Sequence, residues 1–539
     1  MRSFLLAFVL LAAASLFAQS IAVNGSSIVV QDGAVMIDAS IARPANSFLP
    51  TNPANASLPR ALPPGFPTLP VMPKVVRGPG DVELNESLAA AFVAKYGASI
   101  TGGIAWVDPI NGSDSTGVVG NAAKPFATIS KPLRYTSAQI VLLADGVYTP
   151  FDFRYSDAFG KVVKMVACEN TGRCVIQVSG SSLASAPWSA STYSGVYVAK
   201  IASDGVTSGP INRVLYQDGT TDSAGFPQRL PLVCYNASSQ VVYAYYSACA
   251  TSNSLAALQT GGYGWYYDSP NHLLYVALKG ADLTQATTSG RIRATYYDVQ
   301  HNARILAYGS TLLAYGLYLD GIDVQALEFK NGSAYMPSEV WVINSTYFAS
   351  GGGDGAQVVG SRYFEQGVTS HAVLYDGTNG NNGAAGYLSL ILSANSEHDD
   401  AGDVETFGAS ALAIYPRYKG ETSEGGYEAS FGSIYTSDFG PELGSASLGT
   451  ANLTWVVGSI ARNVQGGDPG PAGFAFYGVG TGSGSSRTAW LDTCSASNEG
   501  ADALLLDSGA AAKVFNSTFD TMSYTNGSTA PAQYTPGAP

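Results

Sequence analysis

The segment from Trp106 to Thr149 constrains the fold of this 539-residue chain more than any other part of it. Its pattern predicts a short strand at Ala105 to Asp108, a turn-rich loop, and then the motif at Pro125 to Ile129. An apolar run, Ile140 to Ala144, is typical of a buried strand. Asp145-Gly146 then predicts a tight turn, because glycine takes positive φ values without a clash at Cβ. Short strands separated by tight turns indicate a β-rich fold.

These residues resemble the entry segment of secreted right-handed parallel β-helix proteins, the pectin-lyase-like superfamily. In that superfamily a loop ending in Gly-x-Asp, a P-F-x-T-I cap and an L-x-x-G-x-Y strand open the first coil. The same elements stand here at Gly112 to Asp114, Pro125 to Ile129 and Leu143 to Tyr148. The resemblance implies an all-β chain folded as a right-handed parallel β-helix solenoid, with an N-terminal cap and a β-rich insertion.

The composition excludes some classes of partner. Charged residues make up only 12% of the chain, whereas glycine (61) and tyrosine (32) are abundant, which favours β-structure with many turns. The net charge of −13 argues against nucleic acid, since phosphates need Lys and Arg to neutralise them.

The first twenty residues are typical of a secretory signal peptide, with one arginine, an apolar run from Phe4 to Ala14, and cleavage expected after Ala18 or Ser20. No later segment has enough consecutive apolar residues for a transmembrane helix. We therefore expect a secreted, extracellular protein that does not insert into a membrane.

Five cysteines in an exported chain suggest two disulfides and one unpaired thiol. Pairing of near neighbours would join Cys168 to Cys174 and Cys234 to Cys249. The remaining residue, Cys494, lies in a predicted strand and is expected to be a buried core thiol.

Asn-x-Ser/Thr sequons recur along the chain. They follow either from the frequency of Asn, Ser and Thr in turns or from N-glycosylation of a secreted eukaryotic protein, and we favour the second explanation. The sequon asparagines are Asn24, Asn55, Asn85, Asn111, Asn236, Asn331, Asn344, Asn452, Asn516 and Asn526.

Changes in hydrophobic spacing and in repeat pattern along the chain predict its domain organisation. Helical spacing at Asp81 to Tyr96 predicts the cap, and alternating strands such as Leu273 to Leu278 predict the insertion. From about Ile305 a loose repeat begins, in which a polar residue that tolerates the left-handed conformation marks the turn, as in Asn344 to Phe348 and Asn516 to Phe519. A β-propeller is the main competitor, but no regular blade signature is present. The predicted segments are a signal peptide at 1–20, a Pro-rich and partly disordered leader at 21–80, a cap helix with the first coils at 81–184, the insertion at 185–294, the main parallel β-helix at 295–525 and a flexible tail at 526–539.

The densest group of ionisable residues lies at Asn395 to Glu405 and continues at Tyr415 to Glu421. Its carboxylates could bind Ca²⁺, which takes several oxygen ligands, or act as acid and base on a glycosidic bond. A third chemistry is β-elimination, with Lys or Arg as the base. The alternative is a solvated turn, because charges between two strands usually lie in one. On that alternative both nearby histidines, His371 and His398, are surface or turn residues.

Two elements of this group are similar to polygalacturonase-like hydrolases, which place an adjacent Asp pair on one coil and an R-x-K on a later one. Asp399-Asp400 and Arg417-Tyr418-Lys419 match those elements. The N-T-D element that should precede them and the G-H-G that should lie between them are missing, so the resemblance does not extend to hydrolysis of pectin-like polymers.

The leading hypothesis is a carbohydrate-active protein, a polysaccharide lyase or glycoside hydrolase acting on an extracellular polysaccharide, as a monomer or a homotrimer. The alternative is a non-catalytic wall, coat or adhesion protein that uses the solenoid as a rigid glycan-binding rod. No cofactor is required on either hypothesis, and Ca²⁺ is the candidate metal. The candidate catalytic residues are Asp399, Asp400, His398, Arg417 and Lys419, the candidate substrate-binding residues are Tyr415 and His371, and the candidate Ca²⁺ ligands are Asp399, Asp400, Asp403 and Glu405.

Overall fold

The structure is a computed structural model, which is mostly β and is built from long parallel sheets. It describes residues 19–23, 26–31, 34–38, 60–157, 162–177, 187–200, 211–221, 227–230, 232–235, 241–244, 252–253, 255–268, 271–278, 292–296, 304–348, 355–371, 376–381, 388–399, 419–424, 426–436, 441–443, 453–462, 472–477, 488–497, 502–507 and 509–534.

Three parallel sheets, here called A, B and C, form the main body. From residue 140 onward the chain passes from A to B to C and then returns to the next strand of A, so each turn adds one strand to each sheet. This order defines a parallel β-solenoid. Sheet A comprises Ile104–Val107, Ile140–Leu143, Val163–Cys168, Thr311–Tyr315, Glu339–Ile343, Arg362–Gln366, Leu390–Ala394, Tyr427–Phe431, Leu453–Val457, Thr488–Asp492, Ala511–Phe515 and Ala532–Gln533. Sheet B comprises Gly146–Tyr148, Cys174–Gln177, Leu317–Asp320, Thr346–Phe348, Thr369–His371, Glu397–Asp399, Ile434–Thr436, Ile460–Arg462, Ser495–Ser497 and Thr518–Phe519. Sheet C comprises Asp152–Arg154, Arg304–Tyr308, Asp323–Leu327, Ala356–Val359, Asp376–Asn381, Lys419–Glu424, Pro441–Leu443, Ala472–Tyr477, Asp502–Asp507 and Met522–Tyr524.

At the corner between sheets A and B, several coils place an asparagine in the left-handed backbone conformation. Asn344, Asn395 and Asn516 have φ values of 49°, 50° and 47°, so asparagine takes the left-handed conformation that its short polar side chain tolerates. A serine follows each of them, and the Oγ of Ser345 accepts a hydrogen bond from the backbone N–H of Leu317 in the previous coil, at 3.1 Å. The predicted role of Asn344 and Asn516 as turn residues is confirmed.

The insertion between Gln177 and Arg304 is antiparallel rather than parallel, apart from one short parallel pairing. Trp265 and Leu274 are buried within it, and helix α3 (Leu255–Gly261) packs beside its larger sheet. The larger sheet comprises Ser189–Ala190, Tyr197–Lys200, Leu273–Ala277, Gly264–Asp268, Leu232–Tyr235, Val241–Ala244 and Ser252–Asn253, and the smaller one Pro227–Leu230, Ile211–Thr221 and Ile292–Tyr296.

Residues 60–100, here called the strap, cover the outer face of sheet A. Phe92 packs against Trp341 with ring centroids 5.5 Å apart, and Phe66 packs against Trp455 at 6.2 Å. Sheet A is therefore buried on both faces, which explains its nearly continuous apolar strands. Within the leader predicted at 21–80, residues 60–80 pack on the solenoid and bury the side chains of Phe66, Leu69 and Val71, among others.

The cap helix is shorter than its sequence pattern suggests. Helix α1 is Leu88–Tyr96, and Asp81–Leu84 is instead a strand paired with Pro73–Gly78. The side chain of Ser87 accepts a hydrogen bond from the N–H of Ala90 at 3.1 Å, and this N-cap starts the helix after the strand. Apolar residues at Leu84 and Leu88 thus belong to two elements.

The remaining elements are short. Three antiparallel strands lie near the N-terminus, one hairpin leaves the solenoid, and helix α2 (Ser130–Tyr135) precedes the second strand of sheet A. One 3₁₀ turn follows helix α1, and another follows the first strand of sheet C. Among the described residues, no helix has the length and apolarity to cross a membrane. These elements are Gln19–Val23, Ser26–Gln31, Ala34–Asp38, Phe329–Asn331, Ala334–Met336, Ser130–Tyr135, Gly97–Ser99 and Tyr155–Asp157.

Gly146 has a different role from the one predicted. It lies in a strand of sheet B, and its φ is not among the positive values of the described residues. The ring of Pro109 lies 2.5 Å from the place where a Cβ on residue 146 would stand. Glycine is needed there because the Pro109 loop packs directly on the backbone.

The predicted disulfide between Cys168 and Cys174 is confirmed, with the two Cα atoms 5.7 Å apart. The second predicted pair involves Cys249, which lies outside the described residues. Cys494 is a free, fully buried thiol, as expected.

We predict that Cys494 is inert to thiol reagents in the folded protein. Burial, together with the negative charge of Asp492, raises the pKa of Cys494 to about 12, so the reactive thiolate is scarce at neutral pH. Alkylation with iodoacetamide at pH 8 followed by peptide mapping should leave Cys494 unmodified until denaturant is added. Labelling of Cys494 at a rate comparable to a free thiol would contradict its burial.

Candidate functional site

The corner between sheets B and C carries the longest connections of the solenoid. The insertion leaves from this corner between Gln177 and Arg304, and residues 400–418 leave from it between Asp399 and Lys419. Long connections between the strands of a rigid scaffold commonly carry binding and catalytic residues.

The backbone places two of the predicted catalytic residues on the two sides of this corner. Asp399 ends its strand of sheet B and pairs with His371 in the previous coil. Lys419 begins the following strand of sheet C and pairs with Asp376. The other predicted residues of this group lie outside the described residues: Asp400, Asp403, Glu405, Tyr415 and Arg417.

Both histidines lie inside the protein. His398 is 0% exposed and His371 is 3% exposed, so the interpretation of them as surface or turn residues is wrong. Each belongs to a three-residue strand of sheet B, and the middle residue of such a strand, here His398, points into the solenoid. The ring of His371 stacks on Phe348 with centroids 6.2 Å apart. In this conformation neither ring is accessible to a polysaccharide.

Inside the coil, His398 forms a buried ion pair with Glu365, a residue that the sequence analysis did not single out. Nε2 of His398 lies 3.0 Å from a carboxylate oxygen of Glu365, and both side chains are 0% exposed. Burial alone would raise the pKa of Glu365. The charge of His398 and the hydrogen bonds donated by Ser393 and Tyr363 outweigh burial and hold that pKa below its usual value.

Further hydroxyl groups complete this buried network. Tyr363 donates to Glu365 at 2.9 Å, and its hydroxyl lies 2.5 Å from that of Tyr347. Ser393 donates to the other carboxylate oxygen at 2.7 Å. Nδ1 of His398 lies 2.8 Å from the hydroxyl of Ser370. Every polar atom of the ion pair thus has a partner, as a charge in a low-dielectric interior requires.

The outer face of sheet C carries a row of amide side chains. Gln325 pairs with Gln357, and Gln357 pairs with Asn379, so these residues occupy equivalent positions on three consecutive strands. The residues flanking each amide are buried and point inward, so the amides lie on the outer face. Gln357 and Asn379 are partly exposed there. Gln325 is only 8% exposed, and its amide accepts a hydrogen bond from Arg304 and donates one to Asp323. The same row continues in the backbone register through Thr422 to Glu442.

Some of these features had a signal in the sequence. Gln325, Gln357 and Asn379 each stand between two small or apolar residues, which is the alternation of a strand with one outer face. Glu365 is a single acidic residue within an aromatic and apolar stretch of a charge-poor chain. Such an isolated acidic residue indicates a buried and paired carboxylate.

The described residues hold no group of three or more His, Cys, Asp or Glu side chains that could bind a metal. Of the four predicted Ca²⁺ ligands, the described ranges include only Asp399, and only its backbone. The Ca²⁺ site formed by Asp399, Asp400, Asp403 and Glu405 stays a prediction.

Fold and site together define an all-β protein with a parallel solenoid body and a polar outer face on sheet C. No family model and no curated protein matches the chain. A solved structure, described as the complex of XylC with xylose, matches with a TM-score of 0.36 and 9% identity, over 76% of this chain and 65% of that one. This chain thus spans less than two thirds of that protein, and at this TM-score the description of the fold rests on the chain's own sheets.

Proposed function

We propose that this chain is a secreted right-handed parallel β-helix of the pectin-lyase-like class that binds an extracellular polysaccharide along the outer face of sheet C. The observation that carries the proposal is the pair of neighbouring, partly exposed amides of Gln357 and Asn379 on adjacent strands of sheet C. Adjacent strands are about 4.8 Å apart. A primary amide both donates and accepts hydrogen bonds, which suits sugar hydroxyls that do the same.

The chemistry proposed for the bound polysaccharide is cleavage at the B–C corner. Asp399 and Asp400 would serve as acid and base on a glycosidic bond or as ligands of Ca²⁺, and Lys419 or Arg417 would meet a negative charge on the sugar. The strand order supports this proposal because Asp399 ends one strand and Lys419 begins the next strand of the same coil, so residues 400–418 connect the two. In the backbone register the polar row on sheet C reaches Thr422, in the strand that follows residues 400–418.

A panel of polyuronates and neutral glycans, each with and without Ca²⁺, tests the proposal on the purified full chain. Unsaturated products that absorb in the ultraviolet would identify a lyase, and new reducing ends without that absorbance a hydrolase. Asp399→Ala and Asp400→Ala should each slow cleavage by about 10²- to 10⁴-fold, the usual contribution of general acid–base catalysis. Full activity of both variants would overturn the site assignment.

Binding is tested separately from cleavage. Gln357→Ala should weaken retention on the same glycan by up to about tenfold, the equivalent of one hydrogen bond. Thr369→Ala, at a partly exposed position on the outer face of sheet B, is the matched control and should change nothing. Equal retention of both variants and the parent chain would contradict binding on sheet C.

The second candidate is a rigid glycan-binding rod without catalysis. The burial of His371 and His398 favours it, because among the described residues neither histidine can take part in proton transfer to a sugar. Retention on one glycan of the panel with no product from any of them would select this candidate over the enzyme.

A further inference from the structure

A hairpin that leaves the solenoid presents one of the sequons at its tip. Its strands are Phe329–Asn331 and Ala334–Met336, and Asn331 pairs with Ala334 across a two-residue turn. Gly332 in that turn has a φ of +62°, which glycine adopts without strain. The four residues from 331 to 334 are all exposed. The acceptor amide of the sequon Asn331-Gly332-Ser333 is therefore open to solvent.

The side-chain amide of Asn331 also differs from that of the other sequons in the described part of the chain. No hydrogen bond of the Asn331 side chain occurs among the described residues, whereas each of the other sequon side chains takes part in one. These others are Asn85, Asn111, Asn344, Asn516 and Asn526.

Asn344 shows most clearly why a sequon in the solenoid corner is a poor acceptor. Its side-chain nitrogen donates to the hydroxyl of Tyr315 at 3.2 Å. Its side-chain oxygen lies 2.7 Å from the place where a Cβ on Gly367 would stand, so the amide is wedged against the next coil. A glycan on this nitrogen would have to break the contacts of the Asn344 amide with Tyr315 and Gly367.

An aromatic surface lies beside the hairpin tip. Phe329 and Asn331 are two residues apart on one strand, so their side chains leave on the same side. The ring of Phe329 lies 5.7 Å from that of Tyr155 and 4.8 Å from that of Tyr308. Tyr155 is 37% exposed. The apolar C–H face of a sugar attached to Asn331 could pack on this surface.

We propose that Asn331 carries an N-linked glycan whose first sugar packs on the aromatic surface formed by Phe329 and Tyr155. The donor is a lipid diphosphate-linked oligosaccharide of the secretory pathway. The side-chain nitrogen of Asn331 forms the bond to the anomeric carbon of the sugar, and the bond from that carbon to the diphosphate oxygen breaks. The lipid diphosphate leaves, and the amide loses one proton to a base of the transferase. This proposal requires export but does not depend on the proposed polysaccharide binding.

The test is expression of the full chain, with its own leader, in a eukaryotic secretory cell line. Peptide mapping after glycan release in ¹⁸O-water should mark Asn331 as occupied and Asn344 as unoccupied. The Asn331→Gln variant should migrate faster on a gel than the parent, by the mass of one glycan. The matched variant Asn344→Gln should migrate like the parent. A secreted chain with an unmodified Asn331, or a chain that stays unglycosylated in the cytosol, would overturn the proposal.

The packing of the first sugar has its own measurement. An endoglycosidase that leaves a single sugar on each asparagine should preserve the Tm of the parent chain, and removal of that last sugar should lower it. In the Asn331→Gln variant the two treatments should give the same Tm. An equal Tm for both treatments of the parent chain would show that the sugar does not pack on Phe329 and Tyr155.

Discussion

Replacing Glu365 with glutamine will lower the free energy of unfolding by about 3–5 kcal/mol, the usual cost of breaking a buried ion pair from one side. The substitution keeps the size of the side chain but removes its negative charge. His398 then remains 0% exposed without the carboxylate that lies 3.0 Å from its Nε2. Urea denaturation at neutral pH, followed by tryptophan fluorescence, measures the loss.

At acid pH the Glu365→Gln variant and the parent should have the same free energy of unfolding. The pKa of Glu365 lies below its usual value of 4.5, so the folded state favours the carboxylate more than the unfolded state does. This stabilisation is fully present above the usual carboxyl pKa and is lost as the pH falls through the lower pKa of the folded state. The free energies of unfolding of the parent and of Glu365→Gln should therefore converge as the pH falls below the lowered pKa of Glu365 in the folded state.

Glu397→Gln is the matched control, because Glu397 lies on the same short strand as His398 but is exposed. Its effect should stay within about 0.5 kcal/mol, as for most surface substitutions. A double variant, Glu365→Leu with His398→Phe, should cost less than the sum of the two single changes, because it leaves neither charge unpaired. An additive double variant, or a Glu365→Gln variant as stable as the parent, would show that the pair is not a coupled ion pair.

The corner and strand pattern of the solenoid could be predicted from the sequence because those signals are local. Asn344 and Asn516 are turn residues for a reason that lies in their own backbone conformation. The strap could not be predicted in the same way. Phe66 and Val71 stand in a Pro-rich stretch, and only their packing across sheet A, far away in sequence, orders them.

In the candidate site, too, the features with local sequence signals could be predicted, and those that depend on distant contacts could not. The B–C corner was predictable to the extent that Asp399 and Lys419 stand at the ends of two strands. The location of His398 was not, because a histidine within a run of charges indicates a solvated turn. Only the parallel register, which places Glu365 in a neighbouring coil, supplies the partner that makes its burial favourable.

Replacing Arg60 with methionine will lower the free energy of unfolding by about 3–5 kcal/mol and will loosen the strap. Arg60 donates to both carboxylate oxygens of Asp492, with a distance of 3.2 Å for the Nη2 bond, and so ties the start of the strap to a late strand of sheet A. Methionine keeps most of the aliphatic stem of Arg60. The loss of unfolding free energy therefore arises from the missing ion pair rather than from a cavity. Hydrogen exchange at Phe66 and urea denaturation measure the two effects.

The cost arises because Asp492 is 0% exposed. Burial raises the pKa of Asp492 above its usual value even though Arg60 opposes that shift. Without Arg60, no cation among the described residues offsets the burial of the Asp492 carboxylate, so the protonated form of Asp492 becomes more favourable. The loss of unfolding free energy in the Arg60→Met variant should therefore be largest above the pKa that Asp492 has in the folded variant. It should shrink as the pH falls through that pKa.

Arg173→Met is the matched control. Arg173 is 72% exposed and lies 3.8 Å from Asp145, so its ion pair is screened by water and should contribute less than about 1 kcal/mol. If Arg60→Met lost no more stability than Arg173→Met, the strap would be held by its apolar contacts alone. A large loss for Arg60→Met, with faster exchange confined to the strap, would instead show that one ion pair joins the N-terminal segment to the far end of the solenoid. The strap would then act as a longitudinal brace, since Phe66 and Phe92 contact coils at different heights of sheet A.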